Sequence, residues 1–386
     1  MDIAIIVITY NRPQSLRRLL GSIEKASYPE KNLPLIISVD YQDSEDHSKV
    51  IDIANNFEWI YGEKTVIAHK ENLGLRNHVI SCGNLSKDYD AIIMLEDDLY
   101  VSPRYFNYAL SALEKYKNKD YIAGISLYKI ELNQNVKRPF IPVCNGYDVF
   151  CIQYAQSWGQ CWTSTMWSGF YNWYKMNLEW DKYDNDIPEF VLGWPDTSWL
   201  KYFIKYLVIT NKYFIYPYQS LCTNFGDAGT HFEKNKSIFQ VTMTNYSFEY
   251  RFPEIEEAIM YDVFFERMDS FFLSECCQRD LCVDLYGSKN KRENKRYWLT
   301  MKKLPYKILS SYKLNFKPHE LNVLFNNIGN DVYLYDTSVE REICKNKIYN
   351  KWVVEFKRLS YDYNYIDLRI IIKILLSKTS LFLKNK

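Results

Sequence analysis

The sequence predicts a doubly wound α/β fold with a mostly parallel sheet. Four runs of aliphatic and β-branched residues each precede a segment whose apolar residues recur at helical spacing. The runs are apolar throughout, which is typical of strands buried on both faces of a parallel sheet. Polar residues follow the runs directly, at the strand ends where open α/β sheets bind ligands.

Each predicted strand and helix can be justified in chain order. IAIIVITY (3–10) is a continuous β-branched run, and the segment after it places Leu16, Leu19, Leu20 and Ile23 at helical spacing. The second strand is LPLIISVD (33–40), and its helix is KVIDIANNF (49–57). The segment KTVIAHKENLGLRNHVISCGN (64–84) contains the third strand, a loop and a helix. The fourth strand is YDAIIMLEDDL (89–99), and its helix is PRYFNYALSALEKYK (103–117). Because a helix follows each strand, the strands are expected to be parallel neighbours.

The rest of the chain is less regular. From about residue 120 to 250 it is rich in Trp, Tyr and Gly, and we expect short strands and long loops that form the other wall of a cleft. From about residue 285 it becomes basic, and YGSKNKRENKRYW (286–298) is expected to be a linker or an exposed basic segment.

Composition and charge exclude several classes of protein. Residues 287–386 hold 21 basic and 9 acidic residues (+12), which leaves 27 basic and 38 acidic residues (−11) for 1–286. An acidic body argues against nucleic acid as the main partner. Nine Cys without a C-x-x-C pair indicate neither a zinc site nor a disulfide framework. No secretory signal or membrane-spanning run is apparent, so we expect a cytoplasmic protein with reduced thiols.

Three consecutive acids, Glu96, Asp97 and Asp98, end the fourth predicted strand. Adjacent carboxylates repel one another, and a hard divalent cation would resolve that repulsion while bridging two phosphates of a nucleotide. The alternative is an acidic cap on the following helix. Neither a G-x-G-x-x-G dinucleotide motif nor a phosphate-binding G-x-x-x-x-G-K-[ST] loop is present.

Other polar residues at predicted strand ends would line the same crevice. Asp40 can accept a hydrogen bond from a uracil N3–H, or simply form a turn. The nucleotide-binding candidates come from the ends of the first, second and fourth predicted strands and from the loops after the first and third: Thr9, Asn11, Arg12, Asp40, Asn72, Gly74, Arg76, Glu96 and Asp97. Gly74 permits close backbone approach. The alternative for both loops is ordinary loop chemistry.

The second half holds three further candidate motifs. SWGQCWTSTMW (157–167) supplies Trp158, Gly159 and Trp162 for a sugar platform, or else it is hydrophobic core. In GWPDTSWL (193–200), burial of Asp196 between Trp194 and Trp199 would raise its pKa and make it a better base, and it also suits the N-cap of the next helix. CTNFGDAGTHFEKN (222–235), with Gly226, Gly229 and His231, is a mobile loop over a ligand or a surface turn.

Taken in order, these motifs resemble the GT-A-fold glycosyltransferases. IVITYNRPQSLRRLL, Asp40, NLGLRN and LEDDL resemble the nucleotide-binding half of that fold. SWGQCW, WPDTSW and NFGDAGTH are similar to bacterial family 2 enzymes of the branch that resembles N-acetylglucosaminyltransferase I. The resemblance covers roughly residues 1–245.

The resemblance implies a nucleotide-sugar donor, most often UDP-linked, and Mn²⁺ or Mg²⁺ as cofactor. It implies that Asp98 is the metal ligand of a DXD-like motif, with Glu96 and Asp97 near the ribose and the sugar. Asp40 would contact uracil and Arg12 the nucleotide. Asp196 would be the catalytic base, although Pro195 stands where the family has a first acid. NFGDAGTH would order over the donor.

The expected function is therefore metal-dependent, inverting transfer of a sugar to a hydroxyl of a glycan or lipid-linked glycan, in surface polysaccharide biosynthesis. The alternative is a catalytically silent glycan-binding or scaffold protein of the same fold. A sugar-nucleotide pyrophosphorylase would need a G-x-G-x-R loop that TYNRPQS lacks. The expected organisation is a nucleotide-sugar-binding half (1–120), an acceptor-binding and catalytic half (121–250) and a basic, mainly helical extension (251–386).

The C-terminal YIDLRIIIKILLSKTSLFLKNK places Arg369, Lys373, Ser377 and Lys384 on one narrow polar stripe of a helix. Its other residues are mostly Ile, Leu and Phe. This pattern predicts a helix on the membrane surface, and hence a peripheral position on the inner face of the cell membrane. The alternative is a helix packed on its own domain or on a second subunit.

Overall fold

The computed structural model of this 386-residue chain describes two compact units. One comprises Met1–Arg279 with Tyr286–Asn294, and the other comprises Asp280–Leu285 with Lys295–Lys386. The described residues are 1–28, 32–179, 186–227, 237–246, 249–268, 280–291, 294–341 and 351–363, with backbone alone for 351–355.

The first unit contains strands and helices that alternate over its first 116 residues. Its strands are β1 (Ile3–Thr9), β2 (Leu35–Val39), β3 (Lys64–Ala68), β4 (Ala91–Glu96), β5 (Leu99–Val101), β6 (Ile122–Ser126), β7 (Leu132–Asn133), β8 (Arg138–Pro139), β9 (Val149–Ile152), β10 (Gln160–Thr163), β11 (Tyr213–Pro217), β12 (Cys222–Asn224) and β13 (Met260–Tyr261). Its α-helices are α1 (Pro13–Glu24), α2 (Glu45–Asn56), α3 (Gly74–Asn84), α4 (Tyr105–Tyr116), α5 (Ser164–Met176), α6 (Glu189–Leu192) and α7 (Leu200–Ile209).

The central sheet of this unit has the strand order β13-β9-β11-β6-β10-β4-β1-β2-β3 among the described residues. Strands β4, β1, β2 and β3 are parallel, whereas β10 runs antiparallel to β4 and to β6. The chain moves outward from β1 through β2 to β3 and then returns to β4 on the other side of β1. The topological switch point, where doubly wound sheets bind ligands, therefore lies between the carboxyl ends of β1 and β4.

The four predicted strand–helix pairs are confirmed. Every residue of β1 and β2 is buried, as their uninterrupted apolar runs predict. Helix α1 begins with Pro13, which is tolerated there because N–H groups in the first turn have no partner within the helix. The helix buries the three predicted leucines and the isoleucine.

The short strands expected in residues 121–250 are also present, and they complete the same sheet. Strands β6, β9, β10 and β11 contain four or five residues each, and all of these are buried. Their aromatic side chains, rather than aliphatic runs, fill the core on this side. The first unit continues beyond residue 250, because β13 pairs with β9.

The described part of the second unit is mainly a sheet, which corrects the prediction of a mainly helical extension. Strands β14 (Leu281–Asp284), β15 (Tyr297–Thr300), β16 (Tyr306–Tyr312) and β17 (Val332–Glu340) pair in the order β14-β15-β17-β16, beside helices α8 (Leu321–Leu324) and α9 (Lys351–Asp362). The Tyr-rich and β-branched VYLYDT run of β17 has strand propensity that the count of basic residues concealed. The predicted terminal helix at 366–386 lies outside the described residues.

The basic segment that begins at Tyr286 is not simply an exposed linker. Lys289 is buried in the first unit and pairs with Asp262, with Nζ and Oδ2 2.6 Å apart. The backbone N–H of Tyr286 donates to Glu266, which is also buried. Among the described helices, none is both long and apolar enough to cross a membrane.

Candidate active site

The three acids lie at the switch point of the sheet, beside Arg12 of the loop that follows β1. Glu96 ends β4 opposite Ile8 of β1, and the backbone N–H of Asp97 donates to Ile8. Arg12 forms ion pairs with both Asp97 and Asp98, the latter at 3.2 Å. The sequence-based prediction that the ends of the first and fourth strands meet is therefore confirmed.

The electrostatics of the triplet differ from one acid to the next. Burial raises the pKa of Glu96 to about 8, with repulsion from Asp98 adding to the effect. Burial also raises the pKa of Asp97 to about 6, although Arg12 and a 2.8 Å hydrogen bond from Thr9 oppose it. Burial alone would lower the pKa of Arg12, but Asp97 and Asp98 outweigh that effect and raise it. The site thus holds excess negative charge that one guanidinium only partly balances.

Asp98 has the features of a metal ligand. Its Oδ2 accepts from Arg12, whereas its Oδ1 is buried and has no hydrogen-bond partner among the described residues. Those residues contain no group of three or more His, Cys, Asp or Glu side chains arranged to hold an ion. Mg²⁺ is commonly held by one or two carboxylates together with substrate phosphates, so a single available carboxylate oxygen fits such an ion.

Asp40 holds the start of α3. Its Oδ1 accepts from the backbone N–H groups of Tyr41 and Leu73 at 2.9 and 2.8 Å, and its Oδ2 accepts from Gly74 at 3.1 Å. Gly74 has φ +73°, a conformation that favours glycine. A carboxylate has about four lone-pair positions, so one is left on this nearly buried side chain.

The remaining nucleotide-site candidates form a chain of polar contacts around these strand ends. Asn11 donates to Gln42 Oε1 at 2.5 Å, and Asn72 donates to the carbonyl of Tyr41 at 2.8 Å. Arg76 points elsewhere: it donates to the carbonyl of Asp196 at 2.8 Å and to the hydroxyl of Tyr202 at 3.3 Å. Arg76 therefore links α3 to the turn that carries the candidate base.

Asp196 is exposed, which corrects the prediction of a desolvated acid between two tryptophans. Its side chain is 81% exposed, and its Oδ1 pairs with the buried Lys201 ammonium at 2.7 Å. A turn closed by Ser198 N–H and the Pro195 carbonyl carries it outward. It is not the N-cap either, because α7 begins at Leu200 after Trp199. Trp194 is half-buried in the same turn.

The tryptophans of SWGQCW have different surroundings. Trp162 is fully buried against Trp167, Trp199 and Phe203, so the core alternative is correct for it and the sugar platform is wrong. Trp158 is half-buried and packs on Tyr128 and Phe239.

Gly159 has φ +73°, and a Cβ there would approach Cys222 Sγ to 3.0 Å. Both the backbone conformation and the limited space therefore favour glycine at this position.

The loop after β12 is tied to α1 through an acid that the sequence analysis did not single out. Gly226 has φ +60°, and Asp227 pairs with Arg18 and accepts from Ser15 at 2.7 Å. Burial would raise the Asp227 pKa, but the hydrogen bonds from Arg18 and Ser15 outweigh it and lower the pKa. Gly229 and His231 lie outside the described residues.

Two more residues of the site were missed. Lys201 pairs with Asp196 from within TSWLKYF, and Ser157 hydrogen-bonds the Glu96 carboxyl. An isolated Lys or Ser in an aromatic segment carries no periodic signal, so only proximity in the fold reveals these contacts.

Comparison with known proteins gives one family match. Residues 4–178 match the family model described as Glycosyl transferase family 2. No curated protein matches the chain.

Several solved structures are similar in part. S. aureus TarS 1-349 is 14% identical over 57% of this chain and 60% of that chain, with a TM-score of 0.37. Its complex with UDP-GlcNAc is 12% identical over 60% of each chain, also with a TM-score of 0.37. The mannosyltransferase PcManGT from Pyrobaculum calidifontis, in complex with GDP-Man and Mn²⁺, is 13% identical over 42% of this chain and 44% of that chain, with a TM-score of 0.31. This chain spans about 60% of the length of the TarS structure.

Proposed function

Because residues 4–178 match the Glycosyl transferase family 2 model and lie on a mostly parallel α/β sheet, we propose that this chain is a metal-dependent, inverting glycosyltransferase of the GT-A type. Its donor is a UDP-sugar, and its acceptor is a hydroxyl of a glycan or lipid-linked glycan in surface polysaccharide biosynthesis. A single observation carries the proposal: Oδ1 of Asp98, at the switch point beside Arg12, is buried and has no hydrogen-bond partner in the described part of the chain.

Asp98 would hold Mn²⁺ or Mg²⁺ through this oxygen. When bound, such an ion stabilises the negative charge that develops on a departing diphosphate. Arg12 already lies between Asp97 and Asp98, so its guanidinium is placed to contact a phosphate that approaches the same acids. Thr9 fixes Asp97 through its hydroxyl and thereby keeps the triplet in one geometry.

Asp40 supports recognition of the nucleotide base. Three backbone N–H groups already occupy most of its acceptor capacity and fix the carboxylate in place. One lone-pair position remains for a single imide N–H, which is what uracil presents. A nucleotide whose base is held there would direct its phosphates toward the carboxyl ends of β1 and β4.

Asp196 is the proposed general base. Its carboxylate is open to solvent and so within reach of an exchangeable acceptor, while Lys201 and the contact from Arg76 fix the turn that carries it. It would take the proton of the acceptor hydroxyl as that oxygen attacks the anomeric carbon. The bond from the anomeric carbon to the diphosphate breaks with its electron pair leaving on UDP, and one such displacement inverts the configuration.

A lipid-linked acceptor would bring the enzyme to the membrane surface. The amphipathic, basic pattern of residues 366–386 supports this part of the proposal. Deletion of 366–386 is expected to move the protein from the membrane fraction to the soluble fraction, and unchanged partitioning would contradict it.

The proposal is tested by turnover. Purified protein would be incubated with a panel of UDP-sugars, and UDP release would be measured with Mn²⁺, with Mg²⁺ and with a chelator. We expect metal-dependent UDP release with one or two of the sugars, and its loss in Asp98→Asn. Asp43→Asn, which changes an exposed acid of the second loop, serves as the control. A folded protein that releases no UDP from any sugar, with any metal, would favour a silent glycan-binding role.

A further inference from the structure

Gln160, the first residue of β10, carries a buried carboxamide that the described part of the chain does not satisfy. The side chain is 1% exposed, and neither its Nε2 nor its Oε1 has a hydrogen-bond partner there. A buried amide without partners is destabilising, because it has given up its hydrogen bonds to water. Groups of this kind are uncommon in folded proteins and are expected mainly at functional sites.

The strand pairing places Gln160 behind the acid triplet. Gln160 is directly opposite Met94 of β4 and Ser126 of β6. Residues opposite each other in antiparallel strands project from the same face, as do residues two apart in one strand. Gln160 therefore shares a sheet face with Glu96, which lies one step of about 7 Å further toward the carboxyl edge.

A second buried polar side chain lies on this face. Ile215 of β11 pairs with Ile125 of β6, so Tyr216 and Ser126 are neighbours at the next position. The Tyr216 side chain is fully buried, and its hydroxyl lies close enough to Ser126 to share a hydrogen bond with it. Gln160, Ser126 and Tyr216 thus form a polar row across three adjacent strands.

The same face is aromatic one step further from the edge. Trp162, two residues after Gln160, is packed among aromatic side chains, and Phe214 stands beside it on β11. The change from tryptophan to glutamine occurs at the last row before the carboxyl edge, where the proposed function places the donor sugar. Simple core packing would favour an apolar residue at this position as well.

We propose that Gln160 selects the donor sugar. Its carboxamide presents a hydrogen-bond donor and an acceptor side by side, which suits a sugar with two adjacent polar substituents, such as neighbouring hydroxyls or an acetamido group beside a hydroxyl. This inference rests on the proposed function, since it requires a sugar nucleotide at the carboxyl edge. A site that hydrogen-bonds a substrate hydroxyl discriminates strongly against sugars that lack it, because the protein group is then left unpaired.

The test compares two glutamines. Gln160→Met removes the amide at nearly constant volume, and Gln153→Met is the matched control, since Gln153 is also buried but donates to Asn211 Oδ1 at 3.2 Å. Melting temperatures would be measured with Mn²⁺ alone, with UDP, and with UDP-glucose, UDP-galactose, UDP-N-acetylglucosamine and UDP-N-acetylgalactosamine. Gln160→Asn, which keeps the amide but shortens its reach, is the second variant.

In the wild type, one sugar nucleotide should raise the melting temperature more than UDP does. Gln160→Met should keep the shift caused by UDP and lose the additional shift caused by the sugar, and its kcat/KM for that donor should fall about 10- to 100-fold. Gln160→Asn should show a smaller loss of the same kind, and Gln153→Met should keep both shifts. Without ligand, Gln160→Met should melt at or above the wild-type temperature, because an unsatisfied amide has been removed.

The inference is overturned if Gln160→Met, or Gln160→Asn should the first variant not fold, retains the full sugar-specific shift. It is equally overturned if the wild type responds to all four sugars as it does to UDP, or if Gln160→Met melts well below the wild type without ligand. Absence of any UDP shift in the wild type and in Gln153→Met would count instead against the proposed function.

Discussion

Asp97 on the strand side of the site and Asp196 in the Trp194–Trp199 turn are held in opposite ways. Asp97 is 2% exposed and is fixed by Arg12 and Thr9, whereas Asp196 is 81% exposed and pairs with the buried Lys201 ammonium. Groups that must bind one fixed ligand benefit from a rigid, buried frame. A base that must meet a separate acceptor needs to remain within its reach. The contrast suits a donor site on the strands and an acceptor site at the turn.

The largest effect on activity is expected from substitution of the exposed acid, Asp196. Asp196→Asn should lower kcat about 10²- to 10⁴-fold, because general base catalysis is lost, while affinity for UDP is unchanged. Steady-state kinetics together with UDP titration would measure both. The control is Asp186→Asn, which changes another exposed acid ten residues earlier. A variant of Asp196 that turned over at the wild-type rate would remove it from the mechanism.

At the buried acids, Arg12→Met should lower the stability of the folded protein. It leaves Asp97 buried without its guanidinium, and breaking such a pair is expected to lower the free energy of unfolding by about 3 kcal/mol. Urea denaturation would measure this. Arg17→Met, an exposed position on the same helix, should change the free energy by less than about 0.5 kcal/mol. Equal effects of the two substitutions would show that the buried network is not the stabilising feature.

Asp40→Asn should have an intermediate effect. The substitution replaces one of the two oxygens that accept N–H groups at the start of α3, so unfolding free energy should fall by about 1–2 kcal/mol. UDP affinity should fall as well, because the base would lose its acceptor. Thermal denaturation would measure the loss of stability, and UDP titration of the same preparation would measure the loss of affinity. A loss of stability with unchanged UDP affinity would leave Asp40 with a structural role alone.

Glu96→Gln should change the pH dependence of stability. A carboxyl group whose pKa is higher in the folded chain than in the unfolded chain binds its proton more tightly when folded. Its contribution is therefore present at low pH and is lost as pH rises from the ordinary 4.5 to about 8.

Glu96→Gln lacks this dependence, so its stability relative to the wild type should increase by up to about 1.4 kcal/mol per pH unit across that window. Urea denaturation at several pH values would measure the difference. A constant difference between pH 5 and 8 would contradict it, and Glu45→Gln, an exposed helix position, is the control.

The strand side was largely predictable from the sequence, and the turn side was not. Long aliphatic runs identify β1, β2 and β4, and parallel order brings their carboxyl ends together, so the meeting of Arg12 with the acids follows. Side-chain contacts at the turn and at the loop after β12 join residues that are remote in sequence: Arg76 contacts a residue 120 positions away, and Arg18 contacts one 209 positions away. Periodicity carries no signal for such pairs. The aromatic neighbours of Asp196 suggested burial, but the direction of its turn is set by tertiary structure.

Isothermal titration of UDP would show whether UDP binds to Asp98 through a metal ion. Wild type and Asp98→Ala would each be titrated with Mn²⁺ and with a chelator, after circular dichroism has shown that both are folded. We predict binding by the wild type with Mn²⁺, and at least a tenfold weaker affinity with chelator or in Asp98→Ala, on the order of the loss expected when one strong charge contact is removed. Equal affinity in all four titrations would contradict the assignment of Asp98 as the metal ligand.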